Sequence, residues 1–347
     1  MCQFIETMEG LKSSSNLSVA NDKFSEFNKY MHIISKMDDK LRIVILNARA
    51  KNKSLVLVCG NSGDGKSHLI ANFISQGIIC TDDFDVYIDA TSSDKKGKRA
   101  NEKLREKLDE FSDQKLGNGE RYRLIVAINL GVLNDFLKNY EGEYGLLKEY
   151  VDKQGLFDNI PAWKFMQMEN KVVDTQPYYM GHVDFTSFHR YGIHAQGADV
   201  SFFSELLNKI VSNDAENMIY QSYRNGCTIC SRRSNCPAYW NYKELVENVQ
   251  LRDYVVHVLA KAIIKGNLSP SVREINDFYY EIIIGRTFDE SAIMSKSIHR
   301  LTHFIKNMTL WLLYENEEGL LRYTSREDVL GDFSRRCDEQ IISLNLK

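Results

Sequence analysis

Five apolar residues in a row, Leu55-Val56-Leu57-Val58-Cys59, run directly into Gly60-Asn61-Ser62-Gly63-Asp64-Gly65-Lys66-Ser67. An unbroken apolar run of this length reads as a strand buried on both faces of a parallel sheet, because a half-exposed strand would alternate. The eight residues after it fit G-x-x-x-x-G-K-[ST], and they stand where that motif has meaning, after a buried strand and before a helical pattern. Glycines at 60, 63 and 65 allow a tight turn that brings backbone N–H groups onto phosphate oxygens, and the helix after the loop adds the positive end of its dipole. In such a loop Lys66 reaches the β- and γ-phosphates of ATP or GTP, and the Ser67 hydroxyl binds Mg²⁺. The expected nucleotide-binding set is Gly60, Asn61, Ser62, Gly63, Asp64, Gly65, Lys66, Ser67 and His68. Asp64 and His68 flank the lysine without a derivable role of their own.

Around this loop the hydrophobic period changes in an informative way. From Phe24 to about Ala50 apolar residues recur every three to four positions, which predicts a helix or helix pair. After the loop, helices are expected at 67–76, at 95–111 and over much of 132–157. Strands are expected at 84–90, at 123–128 and at 182–185. Strands alternating with helices imply a parallel α/β sheet. Beyond Ser201 the pattern turns mostly helical. The chain thus divides into a helical lead-in over 1–50, a P-loop core over 51–200, and a helical lid or C-terminal region over 201–347.

The 347 residues and 43% hydrophobic content suit a soluble globular chain. The start MCQFIETMEG lacks a basic leader with an apolar core, and no window approaches about 18 uninterrupted apolar residues, so a cytoplasmic protein without membrane contact is expected. A net charge of -3 removes the simplest case for direct nucleic-acid binding. The cluster Lys95, Lys96, Lys98 and Arg99 is balanced by Glu102, Glu106, Asp109 and Glu110, as on a solvated helical face.

Hydrolysis needs an acid at a strand end and a group that senses the attacking water. Asp89 ends Val86-Tyr87-Ile88 and resembles a Walker B aspartate, although a position 23 residues after Lys66 suits a second strand and no glutamate follows. Asn129 ends Leu124-Ile125-Val126-Ala127-Ile128 and resembles the sensor-1 residue of AAA+ ATPases. The other reading is a Walker B strand with asparagine in place of the acid, which leaves hydrolysis open. Ser269-Pro270-Ser271-Val272-Arg273 reads as a Pro-initiated helix start. It resembles the sensor-2 helix of the AAA+ lid, with Arg273 at the place of the arginine that reaches the γ-phosphate; a surface arginine is the alternative. Arg121, Arg123 and Arg190 are each candidates to act in trans, in a homo-oligomer.

Cys227-x-x-Cys230 followed by Cys236-Pro237 gathers three thiols within ten residues, a spacing that suits Zn²⁺. The fourth ligand is open, with His189, His194, His257 or another cysteine as candidates. Cysteines without metal are the main alternative, and an iron–sulfur cluster a lesser one.

Taken in order, GNSGDGKSHLI at 60–70, VYIDATSSD at 86–94, IVAINLGVLNDF at 125–136, VDFTSFHRYGI at 183–193, the cysteine cluster at 227–237 and VREINDFYYEI at 272–282 resemble the DptF family, the ATPase component of DNA phosphorothioation-dependent restriction systems. The resemblance implies a bacterial defence role in which ATP turnover is coupled to attack on unmarked DNA. It also implies DptG-like and DptH-like partner subunits, with DNA contacted through the complex and cut by a partner. The fold expected is a P-loop NTPase of AAA+-like type, a parallel α/β sheet with a mostly helical C-terminal subdomain carrying a Cys-rich knuckle. The expected cofactors are ATP, Mg²⁺ and a structural Zn²⁺. The function expected from another class is a nucleotide-binding scaffold or switch with little intrinsic hydrolysis.

Overall fold

The computed structural model describes residues 2–12, 25–88, 97–157, 176–186, 192–194, 197–294, 298–315 and 319–325. The chain divides into two compact units. One comprises Ile34–His189 with Asp22–Phe24; the other comprises Met1–Asn21, Ser25–Ile33 and Arg190–Lys347. The lead-in drawn over 1–50 is therefore shared between them, its first part packing with the C-terminal half of the chain.

The first unit is built on a four-stranded, all-parallel sheet. Its strands are β1 (Lys53–Cys59), β2 (Asp85–Tyr87), β3 (Tyr122–Ile128) and β4 (Tyr178–Asp184), in the order β2-β3-β1-β4. Every residue of β1 is buried, as its apolar run predicts. The strand pairs in register with β3 on one side, from Lys53 beside Tyr122 to Cys59 beside Ile128, and with β4 on the other, ending at Cys59 beside Asp184. The fourth strand starts four residues before the expected 182, because Tyr178, Met180 and Gly181 pair although the pattern there is mixed.

Alternate residues of β1 feed two cores. Leu55, Leu57 and Cys59 pack with Leu124, Val126, Leu133, Phe136 and Leu147. These come from β3 and from α6 (Leu130–Asn139) and α7 (Gly145–Lys153). Val56 and Val58 face Leu41, Val44 and Ile45 of α3 (Lys36–Arg49), with Leu69, Ile70 and Phe73 of α4 (Lys66–Ser75). Each large aliphatic side chain buried this way contributes about 1.5–3 kcal/mol. Helix α5 (Gly97–Leu108) buries Leu104 and Leu108 and turns Glu102 and Glu106 to solvent, the solvated face its charge pattern suggests.

The second unit is mainly helical and carries a two-stranded antiparallel ribbon, β5 (Gly192–His194) with β6 (Gly197–Asp199). Helices α1 (Gln3–Glu9) and α2 (Glu26–Met31) pack there with α8 (Ser201–Val211), α9 (Met218–Ser222), α10 (Pro237–Glu247), α11 (Val249–Lys265) and α12 (Val272–Ile284). Phe4, Met8, Phe203, Tyr242, Leu259, Phe278 and Tyr279 are all within 1% of full burial in one core. Four shorter helices come after these: α13 (Glu290–Ile293), α14 (Ile298–Lys306), α15 (Thr309–Glu315) and α16 (Leu321–Ser325). Among the described residues no helix is long and apolar enough to cross a membrane.

The N-terminal ends of β2 and β3 are tied by charge. Asp83 accepts hydrogen bonds from Arg121 and Arg123, and Arg123, itself buried, also donates to the carbonyls of Lys51 (2.9 Å) and Arg49 (2.7 Å). Burial raises the Asp83 carboxyl, but the two arginines outweigh it and hold it below the usual carboxylate range. A depressed carboxyl stabilises the fold fully above its unfolded pKa, and that stabilisation is lost as acid protonates it. Asp83→Asn should lower unfolding free energy by about 1–3 kcal/mol at neutral pH. In urea titrations the gap to the parent protein should narrow as pH falls through the carboxylate range.

Candidate functional site

The loop of interest begins where β1 ends. The Gly60 N–H donates to the Ile128 carbonyl (3.2 Å), and the Phe185 N–H donates to the Cys59 carbonyl (2.9 Å), so the first turn of the loop is pinned to both neighbouring strands. Within the loop, the Asp64 N–H donates to the Asn61 carbonyl (3.3 Å) and the Asp64 carboxylate accepts the Asn61 N–H (2.6 Å). Asp64 thereby gains the structural role that the motif alone does not supply. Gly63 and Gly65 have φ of 84° and 98°, in the left-handed region that L side chains avoid.

Gly65 is the N-cap of α4 and no side chain caps that helix. Some helices do have such caps, Ser35 and Asp38 forming a reciprocal capping box on α3 and Ser271 and Glu274 another on α12, whereas α1, α7, α8 and α10 start without one; what sets α4 apart is the left-handed Gly65 at its start and the buried lysine beside it. An α-helix leaves its first N–H groups without intrahelical partners, and at α4 these include those of Lys66 and Ser67. Lys66 is buried and curls back, its ammonium donating to the carbonyls of Gly60 (2.8 Å) and Asn61 (2.7 Å). Burial pulls its pKa below the ordinary lysine value, opposed by the nearby Asp64 carboxylate. A helix start without a side-chain cap, its dipole and a buried ammonium at one loop are groups of the kind that can hold an anion with several oxygens.

The ends of the strands beside β1 supply two more groups. Asn129 follows β3 directly and caps α6, its Oδ1 accepting the Gly131 N–H at 2.8 Å. That bond engages the side-chain oxygen and leaves the amide N–H groups uncommitted by it. Asp184 ends β4 in register with Cys59 and is 3% exposed. Its carboxylate accepts from the Thr186 N–H (2.9 Å) and from the Thr186 hydroxyl at 2.8 Å to Oδ1. The Cys59 thiol is raised first by burial and then by the Asp184 charge, and lowered by that of Lys66, so both charges act on this one sulfur. Lys40 of α3 is pulled below its ordinary value by burial, against the field of Asp184. Sequence reasoning missed Asp184 and Lys40. An acid closing the segment His182-Val183-Asp184 carries the same signal that drew attention to Asp89, but a glycine and a histidine in the strand weaken it.

Beneath Asp184, on the same strand, His182 shares a 2.8 Å hydrogen bond through Nδ1 with the Tyr150 hydroxyl. Burial, with the Lys40 charge behind it, brings the His182 pKa to about 3, so the ring is neutral at physiological pH. The Tyr150 hydroxyl is held well above its usual range by burial. Both are packing groups that brace the end of β4.

The other expected site residues fall elsewhere. Asp89, Lys95, Lys96, His189 and Arg190 lie outside the described residues, as do the side chains of Lys98, Arg99 and His194. Arg121 and Arg123 sit in the Asp83 cluster at the N-terminal ends of the strands, whereas the loop follows the C-terminal end of β1. Arg273 is exposed in the first turn of α12, in the second unit. That helix starts by the Ser271 capping box, with Pro270 preceding it, which corrects the expected Pro-initiated start. His257 is exposed on α11 with its Nδ1 2.6 Å from the Asp253 carbonyl. Cys227, Cys230 and Cys236 occupy one turn-rich segment of the second unit, with the Cys230 N–H donating to the Cys227 carbonyl (3.2 Å). No family model, curated protein or solved structure matches the chain.

Two glycines of the loop resist substitution for different reasons. A Cβ on Gly60 would lie 2.9 Å from the Phe185 Cβ and 3.1 Å from Asp64 Oδ2, whereas one on Gly65 would meet nothing within 4 Å. Gly60→Ala should cost about 1–3 kcal/mol through overpacking, and Gly65→Ala about 1–2 kcal/mol through its backbone angle. Asn tolerates left-handed φ, so Gly65→Asn should recover most of that loss in urea unfolding, whereas Gly60→Asn should be worse than Gly60→Ala.

Proposed function

We propose that the first unit binds ATP with Mg²⁺ and hydrolyses it, as a P-loop NTPase of AAA+-like type. The observation that carries this reading is the uncapped start of α4 with the Lys66 ammonium held on the loop carbonyls. On binding, the ammonium exchanges two carbonyl oxygens for the β- and γ-phosphate oxygens, and the loop N–H groups take the rest of the charge. Ser67, in the first turn of α4, supplies a hydroxyl to Mg²⁺. Asp184 is the group suited to hold the water shell of the metal, since Thr186 already orients its carboxylate. Asn129 has N–H donors for the attacking water or the γ-phosphate. Asp89 keeps the part expected for it at the sequence level, a Walker B-like acid.

The DptF resemblance extends the reading to a bacterial restriction complex that acts on DNA lacking the phosphorothioate mark, with DptG-like and DptH-like subunits making the DNA contacts. Its support is the order of motifs along the chain. A scaffold or switch that binds nucleotide without turnover is the second reading, favoured by one observation: the residue directly after β3 is Asn129, a helix cap, where an acid would otherwise stand.

The test is Mg²⁺-dependent phosphate release by the purified chain, alone and with unmodified duplex DNA. Lys66→Ala should lower turnover by about 100-fold or more. Asp184→Asn should lower it by a similar factor while nucleotide affinity measured without Mg²⁺ stays within about threefold. Turnover unchanged in Lys66→Ala would remove the loop from the chemistry. Tight binding with no turnover, with DNA and partners present, would establish the scaffold.

A further inference from the structure

Helix α14 buries a histidine and exposes its aliphatic face. Ile298, Leu301 and Ile305 stand at i, i+3 and i+7, on one side of the helix, where an amphipathic helix carries the stripe that it turns to the core. They are instead 81%, 56% and 43% exposed, and the one side chain of α14 that is fully buried is His303. Polar bonds fix this orientation. The His303 Nε2 accepts the Asp289 N–H (2.9 Å), the buried Asn307 just beyond the helix donates to the His303 carbonyl (2.8 Å), and the Thr309 hydroxyl, opening α15, donates to the Ile282 carbonyl of α12 (2.8 Å). Met294, Leu310 and Trp311, before and after α14 in the chain, are exposed too, so six of the fifteen exposed large apolar side chains among the described residues fall within 294–311. Apolar surface gathered in this way marks a place that another group covers.

The chain itself carries a group that fits. The Thr324 hydroxyl, in α16, donates to the Leu313 carbonyl of α15 (3.0 Å), so the residues that follow Ser325 set out from beside α15, and only two residues separate α15 from α14. Those next 22 residues, 326–347, lie outside the described residues, and their sequence repeats the spacing of the exposed face: Leu330, Phe333, Cys337, Ile341 and Leu344 stand at i, i+3, i+7, i+11 and i+14. At about 1.5 Å per residue in that spacing, 333–344 would run about 18 Å, against about 13 Å for the nine residues of α14, with 326–332 left over to reach it. The net charges are opposite in sign. Residues 291–314 carry Lys296, Arg300 and Lys306 and no acid, whereas 326–347 carry five acids against four basic residues.

We infer that residues 330–344 fold back onto α14 and cover Ile298, Leu301 and Ile305 with the stripe that runs from Leu330 to Leu344. The driving force is burial of two apolar faces, neither of which has a core to enter by itself. The pairing also accounts for the orientation of α14, since a helix that turns aliphatic residues outward and a histidine inward is stable only when its outer face is covered. A second copy of the chain is the rival occupant, and it differs in being an interaction between molecules. The inference does not rest on the nucleotide reading, because every residue it uses lies in the second unit.

The full chain carries its own probe and its own reference, since Cys337 lies in the covering stripe and Cys80 is exposed in the first unit. Alkylation by iodoacetamide, followed on each cysteine by mass spectrometry, should run at least about tenfold slower at Cys337 in the native chain than in urea, while Cys80 changes by less than about threefold. Leu301→Asp, which places a charge in the covered stripe, should abolish most of the Cys337 protection and leave Cys80 as it is. Should that variant fail to fold, Leu301→Cys and Ile305→Cys give the same answer: under a mild oxidant at least one of them should bridge to Cys337 within a single chain. Cys337 as reactive in the native chain as in urea, protection that survives in a folded Leu301→Asp variant, no bridge from either new cysteine, or a bridge that joins two chains, the mark of a second copy on α14, would each overturn the inference.

Discussion

The geometry of the first unit depends on the parallel pairing of β1 with β3 and β4. Because β1 is held in register on both sides, the chain leaves the sheet at Gly60 between the ends of two other strands, and the residues at those three ends are brought to one place. Cys59 lies beside Ile128 and Asp184, so Asn129 and Asp184 flank the loop although they are 55 residues apart in the chain. Nothing in the loop itself could arrange this. Burial of β1 on both faces fixes the register, since a slip by one residue would exchange the sets facing the two cores.

The proposed binding capacity of the loop rests on the start of α4 and on Lys66. A helix begun by a left-handed glycine has no side-chain cap, and a buried lysine, its pKa lowered by burial against a nearby carboxylate, donates to two carbonyls of the loop. An anion with several oxygens would satisfy the N–H groups and the ammonium at once, which explains why the site is built of backbone and glycine rather than of larger side chains.

Much of this was legible in the sequence because the signals are local. Leu55–Cys59 announced a doubly buried strand, the glycines and Lys66 announced the loop, and Leu124–Ile128 announced the neighbouring strand. What escaped is set by distance along the chain. The start of β4 has no clean pattern, since Gly181 and His182 interrupt it, and Asp184 gained meaning only through its register with Cys59. Arg123 read as a candidate to act in trans and is a buried strut; Asn129 read as a sensor-1-like residue and is also a helix cap. Asp89 and Arg190 lie outside the described residues, so their expected roles rest on the sequence.

The central claim is that the start of α4 recognises the phosphates of a nucleotide. Calorimetric titration of the intact chain with AMP, ADP and ATP tests it most directly, because the three differ only in the oxygens offered to the loop. The account predicts measurable binding of ADP and ATP, AMP weaker by at least about tenfold, and loss of that discrimination in Lys66→Ala. Equal affinity for all three nucleotides, or discrimination that survives in Lys66→Ala, would contradict it.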